Sequence, residues 1–252
     1  MAADLEQNLR AVRARIDAAA RAAGRDPSSV GLLAVSKTWP AEAVRALAAL
    51  GQADFGENRA QELIAKAGEL ADLPLRWHFI GQLQRNKAAA VARLGAVVHS
   101  VDRPALVGVL DRVGAETGRP VEVFVQVDLG GPEGDSPSGT AARGGAAPDD
   151  VPDLADAVAS SDGLTLRGLM AVAPREGDPA VAFERLAELA ARVRADHPEA
   201  VDLSAGMSAD LEAAVASGAT IVRVGTAVFG ERPLPCDEER VTPVTRVPRA
   251  PE

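Results

Sequence analysis

VEVFVQV (121–127) and GLLAV (31–35) decide the fold. Each run is short and apolar on nearly every residue. A strand with one face in water alternates apolar and polar side chains, whereas a strand covered on both faces does not. These runs therefore read as strands of a parallel sheet with both faces covered. Working outward from them, further strand candidates recur along the chain. The full set is Val30–Lys37, Asp54–Asn58, Arg76–Gly81, Ala96–Asp102, Val121–Leu129, Leu166–Val172, Asp202–Gly206 and Thr220–Phe229.

Helical patterns separate them. Leu106, Val109, Leu110 and Val113 recur at helical spacing, as do Phe183, Leu186, Leu189 and Val193. Leu154 and Val158 follow Val151 in the same way, and Pro40 and Pro104 stand where a first helical turn tolerates proline. Parallel strands need crossover connections, here helices. Eight βα units in 252 residues predict a single (β/α)8 TIM barrel of the α/β class. An open doubly wound sheet is the alternative, and the short stretch after strand eight favours the barrel. Leu5, Leu9, Val12 and Ile16 predict an extra helix before strand one. The barrel is expected over 1–233. Gly130–Asp150, rich in Gly, Pro, Ala and Ser, is expected to be a mobile loop after strand five, and 234–252 a proline-rich tail.

Composition removes several function classes. The net charge is −9 and the arginines are dispersed, so no basic footprint for nucleic acid is present. No apolar run reaches the roughly 20 residues of a membrane span. The N-terminal stretch is interrupted by charge and does not read as a signal peptide, so a cytoplasmic location is expected. A single cysteine, Cys236, excludes an internal disulfide, and three separated histidines give no zinc cluster. Tyrosine is absent. Of 27 basic residues only Lys37, Lys66 and Lys87 are lysines. In such a background a surviving lysine suggests a need for its amine.

A barrel carries its site at the C-terminal ends of its strands. Strand one ends in Val35-Ser36-Lys37. A free lysine amine, with a pKa of about 10.4, is protonated, and burial in a barrel mouth makes it a Schiff-base nucleophile. The plainer reading is an ammonium at the rim or one paired with a carboxylate. Lys66 and Lys87 fall on the helices after strands two and three. Barrels often bind phosphate in the loops after strands seven and eight. Here those loops hold Ser204, Gly206 and Ser208, leading into a helix Asp210–Ser217, and then Gly225 and Thr226. Small residues and a helix N-terminus suit a dianion. Equally, the glycines make turns and Ser208 caps its helix. Arg223 in strand eight would donate to a ring nitrogen if it faces inward, or pair with Glu57 or Asp202. His78 and Asn58 would flank a ring, or be a satisfied core histidine and a helix cap.

LLAVSKTWP (32–40), FGENRAQE (55–62), WHFIGQLQRNK (77–87), LRGLMAVAP (166–174) and LSAGMSADLEAAVASGATIVRVGTAVFGERP (203–233) resemble the pyridoxal phosphate homeostasis protein family. The likeness runs in order over about 5–233. It implies a one-domain barrel similar to the N-terminal domain of alanine racemase, binding pyridoxal 5′-phosphate (PLP) as a Schiff base on Lys37. It further implies Ser204, Gly206, Ser208, Gly225 and Thr226 around the phosphate and Arg223 at the pyridine nitrogen. Asn58 would lie beside the cofactor, and His78 and Met170 would line the pocket. Two departures stand out. Ala205 replaces a methionine usual in the family, a packing change. Glu133 is followed by Gly134, Asp135 and Ser136, without the lysine that the family's loop often carries there.

The resemblance implies a carrier of PLP in vitamin B6 and amino-acid homeostasis, without a catalytic reaction. The alternative is a racemase-like PLP enzyme. Such an enzyme needs a base on each face of the α-carbon, and in alanine racemase a tyrosine from a second domain supplies one. This chain has no tyrosine, and no second domain is expected. PLP-dependent apo-enzymes are the expected acceptors, and a monomer the expected state.

Overall fold

The computed structural model describes residues 2–130 and 144–230. Its strands are β1 Gly31–Val35, β2 Asp54–Glu57, β3 Arg76–Phe79, β4 Val97–Val101, β5 Val121–Val127, β6 Leu164–Ala171, β7 Asp202–Ser204 and β8 Ile221–Val224. All pair in parallel and in chain order, and β8 returns to β1 from Gly31↔Ile221 to Ala34↔Val224. Closure leaves no unpaired sheet edge, and the open-sheet alternative falls. The helices are α1 Ala2–Ala22, α2 Ala41–Ala49, α3 Ala60–Glu69, α4 Arg85–Arg93, α5 Pro104–Thr117, α6 Val151–Ala159, α7 Pro179–Asp196, α8 Leu211–Ala216 and α9 Thr226–Phe229. One of α2 to α9 follows each strand.

The helix after the last strand, α9, is a single turn and leaves the outer wall beside β8 thin. The N-terminal helix fills that gap, packing on α8, α9 and α2. Its predicted stripe, Leu5, Leu9, Val12 and Ile16, is buried, and each such side chain contributes about 1.5–3 kcal/mol. Asn8 donates to the Val228 carbonyl at 3.3 Å, and Arg15 to the Ser208 carbonyl at 3.2 Å and to Glu212.

Alternation along each strand sorts side chains between two cores. Trp77, Phe79, Val98, Val123, Val125, Leu203, Val222 and Val224 join the large apolar layer under the helices. Val97, Phe124 and Met170, with Val172 and Ile221, form a small cluster inside the barrel. His78, His99, Ser204 and Arg223 are also buried, so the barrel interior is partly polar.

Two expectations need correction, and a third falls mostly outside the described residues. The eighth strand stops at Val224, not Phe229: the chain bends at Gly225 and closes one helical turn, with Phe229 N–H donating to the Gly225 carbonyl at 2.9 Å. The helix expected over Asp210–Ser217 begins at Leu211. Of the loop expected over Gly130–Asp150, residues 131–143 lie outside the described residues. Its end is fixed: Ala146 bridges β5 through Ala146 N–H to the Gln126 carbonyl and Asp128 N–H to the Ala146 carbonyl. A 3-10 turn, Pro148–Asp150, then leads into α6. The proline-rich tail is outside the described residues. Among the described residues no helix is long and apolar enough to cross a membrane.

Candidate functional site

Lys37 follows β1 in a turn whose flanks are clamped. On one side Ser36 is fully buried, its hydroxyl donating to Glu57 Oε1 at 2.6 Å and its carbonyl accepting from Lys66 Nζ at 2.8 Å. On the other side Thr38 has φ +68°, a left-handed conformation rare for a β-branched residue, which costs about 1–3 kcal/mol. Its N–H donates to the Glu62 carboxylate at 2.6 Å. Lys66 ties the two clamps together, reaching Glu57 at 2.6 Å and Glu62 at 2.8 Å. The Lys37 side chain is half-buried, and among the described residues no hydrogen bond or ion pair holds its amine. A free amine thus stands on a backbone fixed by its neighbours.

The two lysines therefore exchange the roles that position alone allowed. Lys66, given no role from its place on a helix, is the buried, paired one. Glu57 is fully buried. Burial pushes its carboxyl up, while the hydrogen bonds from Lys66 and Ser36 pull it back down. Its Oε2 has no partner among the described residues. The Glu62–Lys66 spacing of four residues on α3 was the sequence signal for this network.

The loop after β8 lies beside β1, and the loop after β7 beside β8. Gly206 has φ +89°, and a Cβ there would lie 2.6 Å from the Ala214 Cβ, so only glycine lets the chain turn against α8. Ser208 does not cap a helix. Asp210 is the N-cap of α8, and its carboxylate accepts from the Met207 N–H at 2.6 Å. Ser208 is half-buried, and its carbonyl takes Arg15 instead. Gly225 lies against β1, where a Cβ would be 3.2 Å from the Val35 carbonyl oxygen. Thr226 is exposed at the start of α9. Trp39 stacks on Phe229 with centroids 5.6 Å apart, tying the lysine turn to this loop.

Arg223 is buried, and neither expected ion pair forms. Glu57 belongs to Lys66, and Asp202 to Arg167 at 2.6 Å. Arg223 instead donates to the Ser204 carbonyl at 2.6 Å, the Ser204 hydroxyl at 2.8 Å and the Ala171 carbonyl at 2.7 Å. Burial pushes its guanidinium down to about 10. Five N–H groups are available to an arginine, and three bonds are made.

The remaining candidates spread around this centre. Met170 is buried in the interior cluster, paired in register with Ser204. Asn58 is exposed past β2 and caps nothing, since Arg59 is the uncapped N-terminus of α3. Its backbone packs so tightly on Gly81 that a Cβ there would fall 2.1 Å from the Asn58 oxygen. His78 is a satisfied core histidine. Its Nε2 is 2.9 Å from Asp54 Oδ1 and its Nδ1 2.8 Å from His99 Nε2. His99, which stacks on Phe124, lies 2.9 Å from Ser204 Oγ. Asp54 and His99 were not among the sequence candidates.

Burial holds both histidines below the ordinary imidazole range, His99 well below, while Asp54 opposes this at His78. A fold that keeps imidazoles neutral is most stable above their unfolded pKa of about 6.5 and loses stability as pH falls below it. The loss is at most about 1.4 kcal/mol per pH unit for each histidine. Urea unfolding between pH 7.5 and 5 is expected to show this slope, and His99→Phe a shallower one. Parallel profiles for the two proteins would contradict it.

Comparison with known proteins sets the class first. A family model described as the alanine racemase N-terminal domain matches residues 7–233. The pyridoxal phosphate homeostasis protein of Pseudomonas aeruginosa is 48% identical over 231 residues, covering 90% of this chain and 96% of that protein. PipY of Synechococcus elongatus, solved with PLP bound, shares 38% identity at a TM-score of 0.77, covering 90% of this chain and 100% of its own. Alanine racemase from Streptomyces coelicolor has a TM-score of 0.71 at 20% identity, a likeness of fold, and this chain spans 59% of it. The chain belongs to the alanine racemase N-terminal domain family and, within it, to the pyridoxal phosphate homeostasis proteins.

Proposed function

We propose that this protein binds PLP at the mouth formed by β1, β7 and β8 and holds it as a Schiff base on Lys37. The observation that carries the reading is the pair of lysines: Lys66 is fully engaged, whereas among the described residues nothing holds the Lys37 amine, on a turn clamped at Ser36 and Thr38. PLP supplies an aldehyde for that amine, a phosphate dianion and a ring nitrogen that accepts a hydrogen bond. The residues fit those groups. Gly206, Ser208, Gly225 and Thr226 lie around the phosphate, with Ser204 behind them because its hydroxyl and carbonyl are already taken by His99 and Arg223, and Arg223 keeps donors in hand for the ring nitrogen. Asn58 and Met170 complete the surroundings, and His78, both of whose ring nitrogens are engaged in the interior, stands behind them.

An arginine donor disfavours a protonated pyridine and blunts the ring's capacity to take up electrons. This favours a carrier over an enzyme, as do the names of the relatives. A racemase-like reaction would need a second base opposite Lys37, and the sequence offers no tyrosine for it. The protein therefore acts in intracellular PLP and amino-acid homeostasis, in the cytoplasm and as a monomer, loading PLP reversibly and yielding it to PLP-dependent apo-enzymes.

The test is borohydride reduction of the PLP-treated protein followed by peptide mapping, with transfer to an apo-enzyme measured in parallel. A single adduct on Lys37 and reactivation faster than by an equal concentration of free PLP are expected. An adduct on Lys66 or Lys87, or none, overturns the site. Transfer no faster than equilibration of free PLP overturns the carrier role.

A further inference from the structure

The interior histidines belong to one continuous chain of hydrogen bonds. It runs Arg223 Nη1 to Ser204 Oγ (2.8 Å), Ser204 Oγ to His99 Nδ1 (2.9 Å), His99 Nε2 to His78 Nδ1 (2.8 Å) and His78 Nε2 to Asp54 Oδ1 (2.9 Å). Its members come from β8, β7, β4, β3 and β2. Asp54 opens β2, at the N-terminal end of the barrel, and lines a cleft of about 400 Å3 with Arg13, Asp17 and Gln52. Arg76 and Glu122 lie near that end, Glu122 pairing also with Arg167, which in turn holds Asp202. Arg223 stands at the opposite end, beneath the mouth.

The donors and acceptors fix a direction. A carboxylate only accepts, so His78 Nε2 carries a proton and donates to Asp54. A neutral His78 then accepts at Nδ1, so His99 donates from Nε2 and accepts at Nδ1. Ser204 must donate its hydroxyl proton to His99, leaving its oxygen to accept from Arg223, which only donates. Every link points the same way, from a cation to an anion through two neutral imidazoles and a hydroxyl. Such chains polarise cooperatively in a low-dielectric interior. Burial pushes both imidazoles below their ordinary range, which favours the neutral form that the chain requires.

We propose that Asp54, His78 and His99 are positioning residues for Arg223, a one-way hydrogen-bond chain that fixes which donors the guanidinium presents to the mouth. Among the described residues Arg223 is buried with no carboxylate within hydrogen-bonding distance, Asp210 acting on it only through space, and the Asp54 charge at the far end of the chain orients the intervening dipoles toward it. That Arg223 faces the cofactor rests on the reading above; the chain itself does not.

The test is made without PLP. Long-range proton–nitrogen correlation spectra of the 15N-labelled protein at pH 7.5 read ring protonation directly, with only His78, His99 and His197 to assign. His78 and His99 are expected to be neutral, each protonated at Nε2 and bare at Nδ1. Asp54→Asn, which keeps an acceptor, is expected to retain that pattern. Asp54→Leu is expected to lose it at His78 and to shift the Arg223 guanidinium resonances. Ser204→Ala, which keeps the carbonyl bond to Arg223, is expected to release the His99 tautomer if Asp54→Leu does not fold. A proton on Nδ1 of either histidine in the wild type overturns the chain, as do unmoved Arg223 resonances in Asp54→Leu or an unmoved His99 in Ser204→Ala. With PLP added, Asp54→Leu is expected to bind about tenfold more weakly and Asp54→Asn to stay near wild type. Wild-type protein that takes up no PLP would sink the cofactor reading and leave the tautomer result standing.

Discussion

Lys66→Met is expected to lower the unfolding free energy by about 3–5 kcal/mol, the cost of leaving one partner of a buried ion pair behind. Lys66 serves three acceptors at once: Glu57 at 2.6 Å, Glu62 at 2.8 Å and the Ser36 carbonyl at 2.8 Å. Methionine matches the stem and supplies no proton. The Ser36 carbonyl loses a donor, and Glu57, fully buried, must either ionise alone or take up a proton. Burial already raises the Glu57 carboxyl above its ordinary range, with Lys66 among the groups that pull it down. Without Lys66 it rises further. A group whose folded pKa is raised contributes most below its unfolded pKa and loses that contribution as pH rises through the folded one. The deficit of Lys66→Met should therefore widen from pH 5 to pH 8, when measured by urea unfolding at each pH. Lys66→Met combined with Glu57→Gln removes the orphaned charge and is expected to recover about half of the loss or more. A single variant within about 1 kcal/mol of wild type would show that the pair contributes little and that Thr38 needs no clamp.

The barrel was legible because some of its strands, GLLAV and VEVFVQV above all, are apolar on nearly every residue and so covered on both faces, while short strands such as DFGE and RWHF were placed by their spacing between helices. Lys37 and the glycine and serine loops after β7 and β8 were legible because a parallel barrel gathers the ends of its strands at one face. What escaped was made by closure. Asp54, His78, His99, Ser204 and Arg223 lie on five strands separated by up to 169 residues of sequence, and no local pattern announces that their side chains meet inside. His78 read as a core histidine, correctly, but its partners could not be named before the strands were in register. For Arg223 the sequence offered a carboxylate, Glu57 or Asp202, as one of two readings; it meets two carbonyls and a hydroxyl instead, with Glu57 and Asp202 engaged elsewhere. Strand eight read too long because its β-branched run continues past Gly225, where the backbone, not the side-chain pattern, ends the strand. The scarcity of lysine pointed to Lys37, yet the same argument applied to Lys66, whose amine the fold needs for structure.

Lys37→Ala is expected to give a folded, colourless protein. Its visible absorbance with PLP and its borohydride-reducible adduct should both vanish, while its unfolding free energy stays within about 0.5 kcal/mol of wild type. The contrast with Lys66 follows from what each amine touches. The turn at 36–38 is held through the Ser36 hydroxyl and carbonyl and the Thr38 N–H, none of which uses the Lys37 side chain. Removing that side chain takes away a nucleophile and leaves the clamp intact. The phosphate loops and Arg223 are equally untouched, so Lys37→Ala is expected to bind pyridoxamine 5′-phosphate, which has no aldehyde to react, nearly as well as the wild type does. A Gly206→Val variant, whose side chain would press on Ala214 from a left-handed backbone, should lose both ligands. Titration of the three proteins with the two compounds separates covalent capture from recognition of the phosphate and the ring. A Lys37→Ala protein that keeps the wild-type visible band and a reducible adduct would move the Schiff base to another amine and remove the role assigned to this turn.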